Sequence, residues 1–274
     1  MSLNGRAIRA IMAKDLKQVV QNKMVWLPMI ILPFIFLVFM PLFTVLLPSL
    51  VPMSQSDLDE VLVMLDKAPA ALRTPLEGLA PLQKYVFIAG NYMFAPMFLI
   101  VPLMVASILA ADSFAGEKER KTLEALLYTP VSDLELLVGK VCTALVPALI
   151  IDVLSFVLYA IVVNAAGYHT MQRLFFPAPT WWPLVFWLAP GLITAGLGAT
   201  VLVSSKSKSF MQTQQVSGVL VLPVVFLMIG QISGLFFLSP GIVVLIGVPV
   251  WVLGIVLVWI GARTFSRGEL IARI

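Results

Sequence analysis

Charge is scarce in this sequence. Only 12% of its 274 residues are Asp, Glu, Lys or Arg, whereas 60% are hydrophobic and the mean hydropathy is +1.01. A soluble domain carries about a quarter charged residues. The apolar residues also come in runs of roughly 20, the length that crosses about 30 Å of hydrocarbon. The shortage of charge therefore excludes a water-soluble globular domain and indicates a membrane protein.

Histidine and cysteine are nearly absent as well. The single cysteine, Cys142, lies inside an apolar run, so the chain cannot form an intrachain disulfide. The single histidine, His169, lies in a polar stretch between two apolar runs. A membrane-embedded enzyme needs His, Asp, Glu or Cys clustered near one interface, and the sequence lacks such a cluster. We predict no catalytic residues and no metal site in this chain.

Nucleotide and nucleic-acid motifs are also missing. The sequence contains no GxxxxGK[ST] phosphate loop, so we expect no ATP site within it. The pI of about 9.3 comes from basic residues scattered at the ends of apolar runs, without a basic stripe. We therefore expect no nucleic-acid partner.

Six apolar runs predict an all-α integral membrane fold of six transmembrane helices. The predicted spans are 25–47, 85–111, 137–163, 183–203, 213–237 and 242–262. They form one domain over 25–262, preceded by an amphipathic segment at 1–24 and followed by a tail at 263–274. The main predicted loops are an external loop at 48–84 and a cytoplasmic loop at 112–136.

The distribution of basic residues predicts the orientation. With six spans, fourteen Lys and Arg residues fall on the side of the two termini and four fall on the opposite side. Cytoplasmic loops carry the excess of basic residues. We predict a multi-pass protein of a prokaryotic plasma (inner) membrane, with both termini in the cytoplasm.

The segment before the first span has the pattern of an amphipathic helix. Its apolar residues recur at helical spacing and comprise Ile8, Ile11, Met12, Leu16, Val19 and Val20. This pattern predicts an interfacial helix that lies flat on the inner leaflet. Asp15 falls on the apolar side, where it is either a surface residue paired with a lysine or a contact to a cytoplasmic partner.

Two features concern the opposite side of the membrane. Trp181 and Trp182 precede the fourth span, and we expect both in the belt of aromatic residues at the interface. The fifth and sixth spans are joined at Ser239, Pro240 and Gly241 without any charge. Both a re-entrant hairpin and a tight interfacial turn remain open for this connection.

The stretch Asp112 to Lys140, DSFAGEKERKTLEALLYTPVSDLELLVGK, is the most informative segment. We expect Gly116 to end the second span and a short helix with an apolar leucine face to follow, closed by Pro130. Ser132 and Glu135 have the spacing of a capping box at the start of the third span. The loop thus looks rigidly built, and from the residues alone it is either an ordered connector or a mechanical coupling element.

The third span contains an acidic residue at mid-depth, where a carboxylate costs about 2.5 to 3.5 kcal/mol on insertion scales. This residue is Asp152, and Ser155 and Tyr159 follow it on the same helical stripe. The three residues form a candidate intramembrane polar site. A cation or proton site and a structural, hydrogen-bonded carboxyl are both open.

The segment GEKERKTLEALLYTPVSDLELLVGK closely resembles the loop between spans two and three of the type-2 ABC transporter permease family. Members carry a GEKERxTLExLLxTPVxxxELLxGK-like sequence there, although many have Gly at the position of Lys121. The resemblance extends to an N-terminal KDL element, six spans and a large first external loop. The sodium-efflux and multidrug branch is the most similar.

This resemblance implies the permease subunit of an ATP-driven exporter. Such a subunit is not itself an enzyme: it pairs with a second permease copy, identical or similar, and with two separate ATPase subunits that bind ATP and Mg²⁺. The residues that match the ATPase-coupling region are Glu117, Glu119, Arg120, Thr122, Leu123, Glu124, Leu126 and Leu127. A non-transporting accessory subunit of an ABC complex is the main alternative, while a membrane-embedded enzyme and a secondary transporter are less well supported.

Overall fold

The computed structural model describes residues 4–51, 63, 73–122, 131–207, 209–233 and 237–264. Its helices are α1 (Gly5–Gln21), α2 (Lys23–Leu50), α3 (Pro81–Glu119), α4 (Asp133–Met171), α5 (Trp181–Lys206), α6 (Phe210–Gln231) and α7 (Pro240–Thr264). A short 3₁₀ turn, Thr74–Leu76, precedes α3. Within these residues, the six helices α2 to α7 are long and apolar enough to cross a membrane, which confirms the predicted fold class.

The six long helices run alternately between two ends of the bundle. The end that holds α1 is termed the proximal end, and the other is termed the distal end. At the proximal end, Lys140 of α4 binds Glu117 of α3. At the distal end, Gln83 of α3 donates a hydrogen bond of 3.1 Å to the carbonyl of Thr170 in α4. These contacts hold α3 and α4 antiparallel over their whole length.

Four π-helical stretches interrupt the long helices, at Phe34–Phe39, Ala89–Met93, Asp112–Gly116 and Leu184–Leu188. Three of them lie just before a proline, namely Pro41, Pro96 and Pro190. A proline has no N–H and its ring clashes with the carbonyl four residues earlier, so the preceding turn widens. The wider turns leave backbone carbonyls available to other partners.

Helix α3 is the most buried of the six, followed by α5. Helices α5 and α7 approach each other closely at glycines. A Cβ atom at Gly198 would lie 2.7 Å from the backbone nitrogen of Val258, and one at Gly254 would lie 2.9 Å from that of Ala195. Neither position has room for a larger side chain without separating the two helices.

The end of the second span differs from the prediction. Helix α3 continues through Asp112 to Glu119, so the expectation that Gly116 ends this span is wrong. Gly116 has helical backbone angles, φ −63° and ψ −39°. A Cβ atom there would lie 2.9 Å from both the Arg120 guanidinium and the Asp112 carboxylate. The glycine therefore makes room for a contact between these two side chains.

The position predicted for Trp181 from the sequence is also wrong. It is fully buried instead of lying in an interfacial belt, whereas Trp182 is half exposed. The Trp181 ring stacks on Tyr159 at 4.9 Å between centroids and meets the ring of Phe98 edge-on at 5.2 Å. Packing against these rings removes Trp181 from the surface.

The connection between α6 and α7 packs onto the bundle where the structure describes it. Phe237 and Leu238 belong to the apolar core of the distal half. The Ser239 hydroxyl accepts a hydrogen bond of 3.4 Å from the backbone nitrogen of Ile242, at the first turn of α7. Residues 234–236 lie outside the described residues, so the choice between a re-entrant hairpin and a tight turn stays open.

Candidate functional site

A group of charged side chains from three helices is packed together at the proximal end. This proximal charge cluster comprises Lys14 and Asp15 of α1, Asp112, Glu117 and the adjoining Arg120 at the end of α3, and Lys140 of α4. Its three carboxylates and Lys140 are buried, whereas Lys14 and Arg120 keep 40% and 34% of their side chains exposed. Three acids and three bases balance its formal charge.

Glu117 lies at the centre of the cluster. Its carboxylate is completely buried and binds the ammonium groups of Lys14 and Lys140 with one oxygen each. Lys140 is also fully buried, donates a hydrogen bond to the carbonyl of Ser113, and lies 5.5 Å from the centroid of the Phe114 ring. Glu117 thus joins α3 to α4 through a fully buried ion pair and to α1 through the partly exposed Lys14.

Asp15 holds the same three helices together from α1. It is 3% exposed, lies 3.0 Å from the ammonium of Lys14 and 3.8 Å from that of Lys140, and accepts a hydrogen bond of 2.7 Å from Ser113. The prediction of a lysine partner is confirmed, but that of a surface position is wrong. The apolar residues beside Asp15 on α1 pack against protein, since Ile11 contacts α4 at Gly139.

Asp112 is the acceptor for Arg120. The Arg120 guanidinium donates a hydrogen bond of 3.0 Å to the Asp112 carboxylate and one of 3.3 Å to the Asp112 carbonyl, eight positions earlier in the chain. The side-chain amide of Gln18 from α1 lies against both groups. This pair folds the chain that leaves α3 back onto the helix.

Burial makes these ion pairs interdependent. Removing one partner of a buried pair typically costs about 3 to 5 kcal/mol because the other charge stays buried alone. The pKa of Lys14 shows the same coupling. Burial acts to lower this pKa, but the hydrogen bond and charge of Glu117 and the charge of Asp15 outweigh it and raise the pKa above its usual value. The Lys14 ammonium therefore stays charged at neutral pH.

Two residues next to the cluster reach the junction of α5 and α6. Glu119 accepts a hydrogen bond of 2.8 Å from the backbone nitrogen of Phe210, the first residue of α6. A carboxylate at a helix N-terminus also interacts favourably with the helix dipole. Lys118 donates 3.4 Å to the carbonyl of Ser207, just after α5. The end of α3 therefore contacts α5 and α6 as well as α1 and α4.

The structure brings together part of the predicted coupling region. Glu117, Glu119 and Arg120 occupy the positions given above, and the Thr122 hydroxyl donates 3.3 Å to the carbonyl of Glu117. Because Glu117 is completely buried inside the chain, any contact it makes with a partner protein is indirect. Leu123, Glu124, Leu126 and Leu127 lie outside the described residues.

The capping box that starts α4 is present as predicted. The backbone nitrogen of Glu135 donates 3.3 Å to the Ser132 hydroxyl, and the Glu135 carboxylate accepts 2.9 Å from the backbone nitrogen of Ser132. The second oxygen of Glu135 accepts 2.8 Å from the backbone nitrogen of Asn4. The cap therefore also fixes the start of α1, which sequence reasoning missed.

The predicted intramembrane site divides into two parts. Asp152 is 1% exposed, and its Oδ1 atom has no hydrogen-bond partner among the described residues. Ser155 lies buried on the same stripe of α4. The Tyr159 hydroxyl instead donates 2.8 Å to the carbonyl of Gly90 in α3. Tyr159 thus belongs to a separate group of polar contacts.

That group is organised by three consecutive backbone carbonyls of the π-helical stretch Ala89–Met93. Each carbonyl accepts a hydrogen bond from a side chain of a different helix. The pairs are Tyr159 of α4 to Gly90 (2.8 Å), Trp181 of α5 to Asn91 (2.8 Å), and Gln231 of α6 to Tyr92. Gly90, Asn91 and Tyr92 are therefore termed the π-helical hub.

The Asn91 side chain adds two more connections. Its oxygen accepts 2.8 Å from the backbone nitrogen of Ala178, and its nitrogen donates to the carbonyls of Phe87 (3.1 Å) and Phe175 (3.3 Å). The hub therefore ties α3 to α4, α5, α6 and the segment 174–180. A Gly-Asn pair inside an apolar span, followed by Pro96, is the sequence signal that indicates it.

Comparison with known families identifies the chain. The profile of the family described as ABC-2 family transporter protein matches residues 9–260, which is nearly the whole chain. The chain belongs to the ABC-2 transporter family. Neither the comparison with curated proteins nor that with solved structures gives a match. The family assignment confirms the resemblance seen in the loop between the second and third spans.

In this ABC-2 protein, the structure shows how charged residues distant in sequence are joined. Asp112 and Lys140 lie at the two ends of the motif region, but only folding brings Lys140 to Glu117. Lys14 and Asp15 are the first two residues of the KDL element, and both pair with the motif region. The two segments that carry the resemblance therefore form one site.

Proposed function

We propose that this ABC-2 protein is the permease subunit of an ATP-driven exporter. It works as a dimer and is moved by two separate ATPase subunits that bind ATP and Mg²⁺ and dock at its proximal end. The proximal charge cluster supports this proposal most strongly. The cluster joins the end of α3 to α1 and α4 through Glu117, and Glu119 joins the same end to α6. A displacement of this end of α3 therefore moves the other membrane helices as well.

The orientation is part of the proposal. The proximal end carries the basic N-terminal helix and the basic end of α3, and fourteen of the eighteen Lys and Arg residues fall on its side. The positive-inside rule therefore favours a cytoplasmic proximal end, where ATP is available.

The proposal is tested by searching the neighbouring reading frames for an ATP-binding protein and expressing it together with this chain. We expect the two proteins to copurify, and we expect ATP hydrolysis in liposomes to depend on the permease. Failure to copurify with any ATPase would contradict the proposal itself.

The role of the cluster is tested by removing one buried ion pair. Glu117→Gln alone leaves Lys140 with Asp15 at 3.8 Å, and Lys140→Met alone leaves Glu117 with the partly exposed Lys14, so each lowers stability. The double variant Glu117→Gln/Lys140→Met removes both charges and regains stability. We expect it still to lower permease-dependent ATP hydrolysis at least about fivefold, the lower end of typical coupling effects.

A matched control makes the same chemical changes at two exposed positions, Glu77→Gln/Lys17→Met. This variant should hydrolyse ATP like the unmodified protein. A stable Glu117→Gln/Lys140→Met protein with full hydrolysis would show that the cluster serves folding alone.

A further inference from the structure

A groove runs along the distal half of α4, between this helix and residues 174–182. Its volume is about 540 Å³. The side chains that form most of its walls are Val157, Ala160, Ile161, Tyr168, Leu174 and Trp182. Apart from Ala160, these are exposed on the surface of the chain. This distal groove plays no part in the proximal charge cluster or the π-helical hub.

The groove offers its occupant almost no polar contact. Asn164 contributes the one side-chain amide of the lining, and both the nitrogen and the oxygen of that amide already make hydrogen bonds within the protein. Its nitrogen donates to the carbonyls of Ala160 and Phe176 (3.0 Å each), and its oxygen accepts from the backbone nitrogens of Phe175 (3.1 Å) and Phe176 (3.3 Å). A ligand in this groove must therefore be apolar along its length.

The dimensions of the groove match one half of a bilayer. The stretch of α4 that lines it, from Phe156 to Tyr168, spans about 18 Å at roughly 1.5 Å per residue. Half of a bilayer's hydrocarbon core is about 15 Å thick. The groove therefore has a suitable length for a single hydrocarbon chain that lies along α4.

The distal rim of the groove has the features of a headgroup region. Tyr168 lies there half exposed, which is typical of an aromatic residue at a membrane interface. Arg173 is exposed and immediately precedes Leu174 of the wall. A guanidinium is well suited to bind a phosphate. An apolar channel with a cation at its mouth is complementary to a phospholipid.

We propose that the distal groove binds one phospholipid of the distal leaflet, with an acyl chain along α4 and the phosphate at Arg173. This site needs only the membrane insertion of the chain, and it does not depend on the proposed export function.

Native mass spectrometry of the full chain tests the site. The protein is released from nanodiscs made of phosphatidylglycerol and phosphatidylethanolamine, and the retained lipid is counted. We expect the unmodified chain to retain one phospholipid. Ala160→Phe fills the groove and should lower the retained fraction at least about tenfold, a change of 1.4 kcal/mol in binding free energy. Ala165→Phe, also in the lining, provides a second filling variant if the first does not fold.

Val153→Phe is the matched control, because Val153 is exposed on the same helix outside the groove. It should retain the lipid. Arg173→Gln should retain lipid but lose a preference for the anionic phosphatidylglycerol. Equal retention by the control and by both filling variants would overturn the proposal, as would a retained molecule other than a phospholipid.

A second copy of the chain is the competing occupant. Ala165→Cys in a Cys142→Ser background leaves one cysteine, which lies at the groove. If this cysteine forms disulfide-linked dimers in native membranes, the groove is a protein interface and the proposal fails. We expect no disulfide-linked dimer under oxidising conditions.

Discussion

At the scale of single residues, Lys121 occupies a backbone conformation that is costly for a side chain. Its φ of +57° lies in the left-handed region, where the Cβ atom crowds the backbone. Glycine has no Cβ and adopts this conformation freely. The glycine that many family members carry at this position therefore has a physical reason: the chain must turn sharply after α3.

We predict that Lys121→Gly raises the free energy of unfolding by about 1 kcal/mol, the cost of the left-handed conformation. Lys118→Gly is the control, because Lys118 lies in the helical end of α3, where glycine should cost about 1 kcal/mol. Thermal unfolding of the detergent-purified variants measures both effects. A lower midpoint for Lys121→Gly would contradict the explanation.

A substitution at Asp152 can test the role of this residue by itself. It is buried in the middle of α4, and none of the ion pairs found among the described residues includes it. We expect a structural role for Asp152, because an ion relay needs several acidic groups and the six predicted spans contain this one carboxylate.

We therefore predict that Asp152→Asn folds as stably as the unmodified chain and keeps the pH dependence of permease-driven ATP hydrolysis. The amide has the size of the carboxyl and can make similar hydrogen bonds. Hydrolysis is measured from about pH 6 to about pH 8, across neutrality. Ser155→Ala, on the same buried stripe, controls for small changes in packing. A pH profile altered by Asp152→Asn alone would indicate a proton or cation site.

At the scale of helices, the π-helical hub depends on a proline. Pro96 has no N–H to donate to the carbonyl of Tyr92, four residues earlier, and Gln231 of α6 donates to that carbonyl instead. The Tyr92 carbonyl also accepts from the backbone N–H of Phe94, and the proline leaves it open to a further donor from a neighbouring helix. The hub joins α6 to the centre of the bundle in this way.

We predict that Gln231→Leu costs about 1 to 3 kcal/mol, because a buried carbonyl loses its side-chain donor. In a Pro96→Ala background the restored N–H can bond to Tyr92, so the same substitution should cost less. A double-mutant cycle of thermal unfolding measures this coupling. Additive effects would show that the proline does not create the need for Gln231.

At the scale of the whole molecule, the bundle has two ends of different character. The proximal end is held by buried ion pairs, while the distal end is held by hydrogen bonds to backbone carbonyls and by stacked aromatic rings. Lys14 and Arg120 keep part of their side chains exposed, and we expect these two charges to meet a second protein. The distal end, with its exposed apolar groove, suits contact with lipid.

We predict that the proximal end faces the cytoplasm. In a Cys142→Ser background, His169→Cys places a thiol at the exposed distal end of α4, and Arg9→Cys places one on the exposed side of α1. A maleimide that cannot cross membranes should label intact cells at position 169 and label position 9 only after the membrane is opened. The reverse pattern would overturn the orientation.

Local patterns predicted much of this architecture. The six apolar runs, the capping box of Ser132 and Glu135, and the lysine pairing of Asp15 all depend on residues close in sequence or on the solvent each run requires. Hydrophobic length and helical spacing report such features directly, because they arise within one helix.

The tertiary structure decided how the helices are joined. Helix α3 extends past Gly116, Trp181 is buried and Asp15 is buried, because Glu117, Trp181 and Asp15 each bind a partner far away in the chain. Apolar spacing does not report such pairs, since a buried charge or carbonyl needs one particular donor or acceptor rather than a general environment. The scarcity of charge by itself determined that this is a membrane protein, and folding placed six of its few charged side chains in a single cluster.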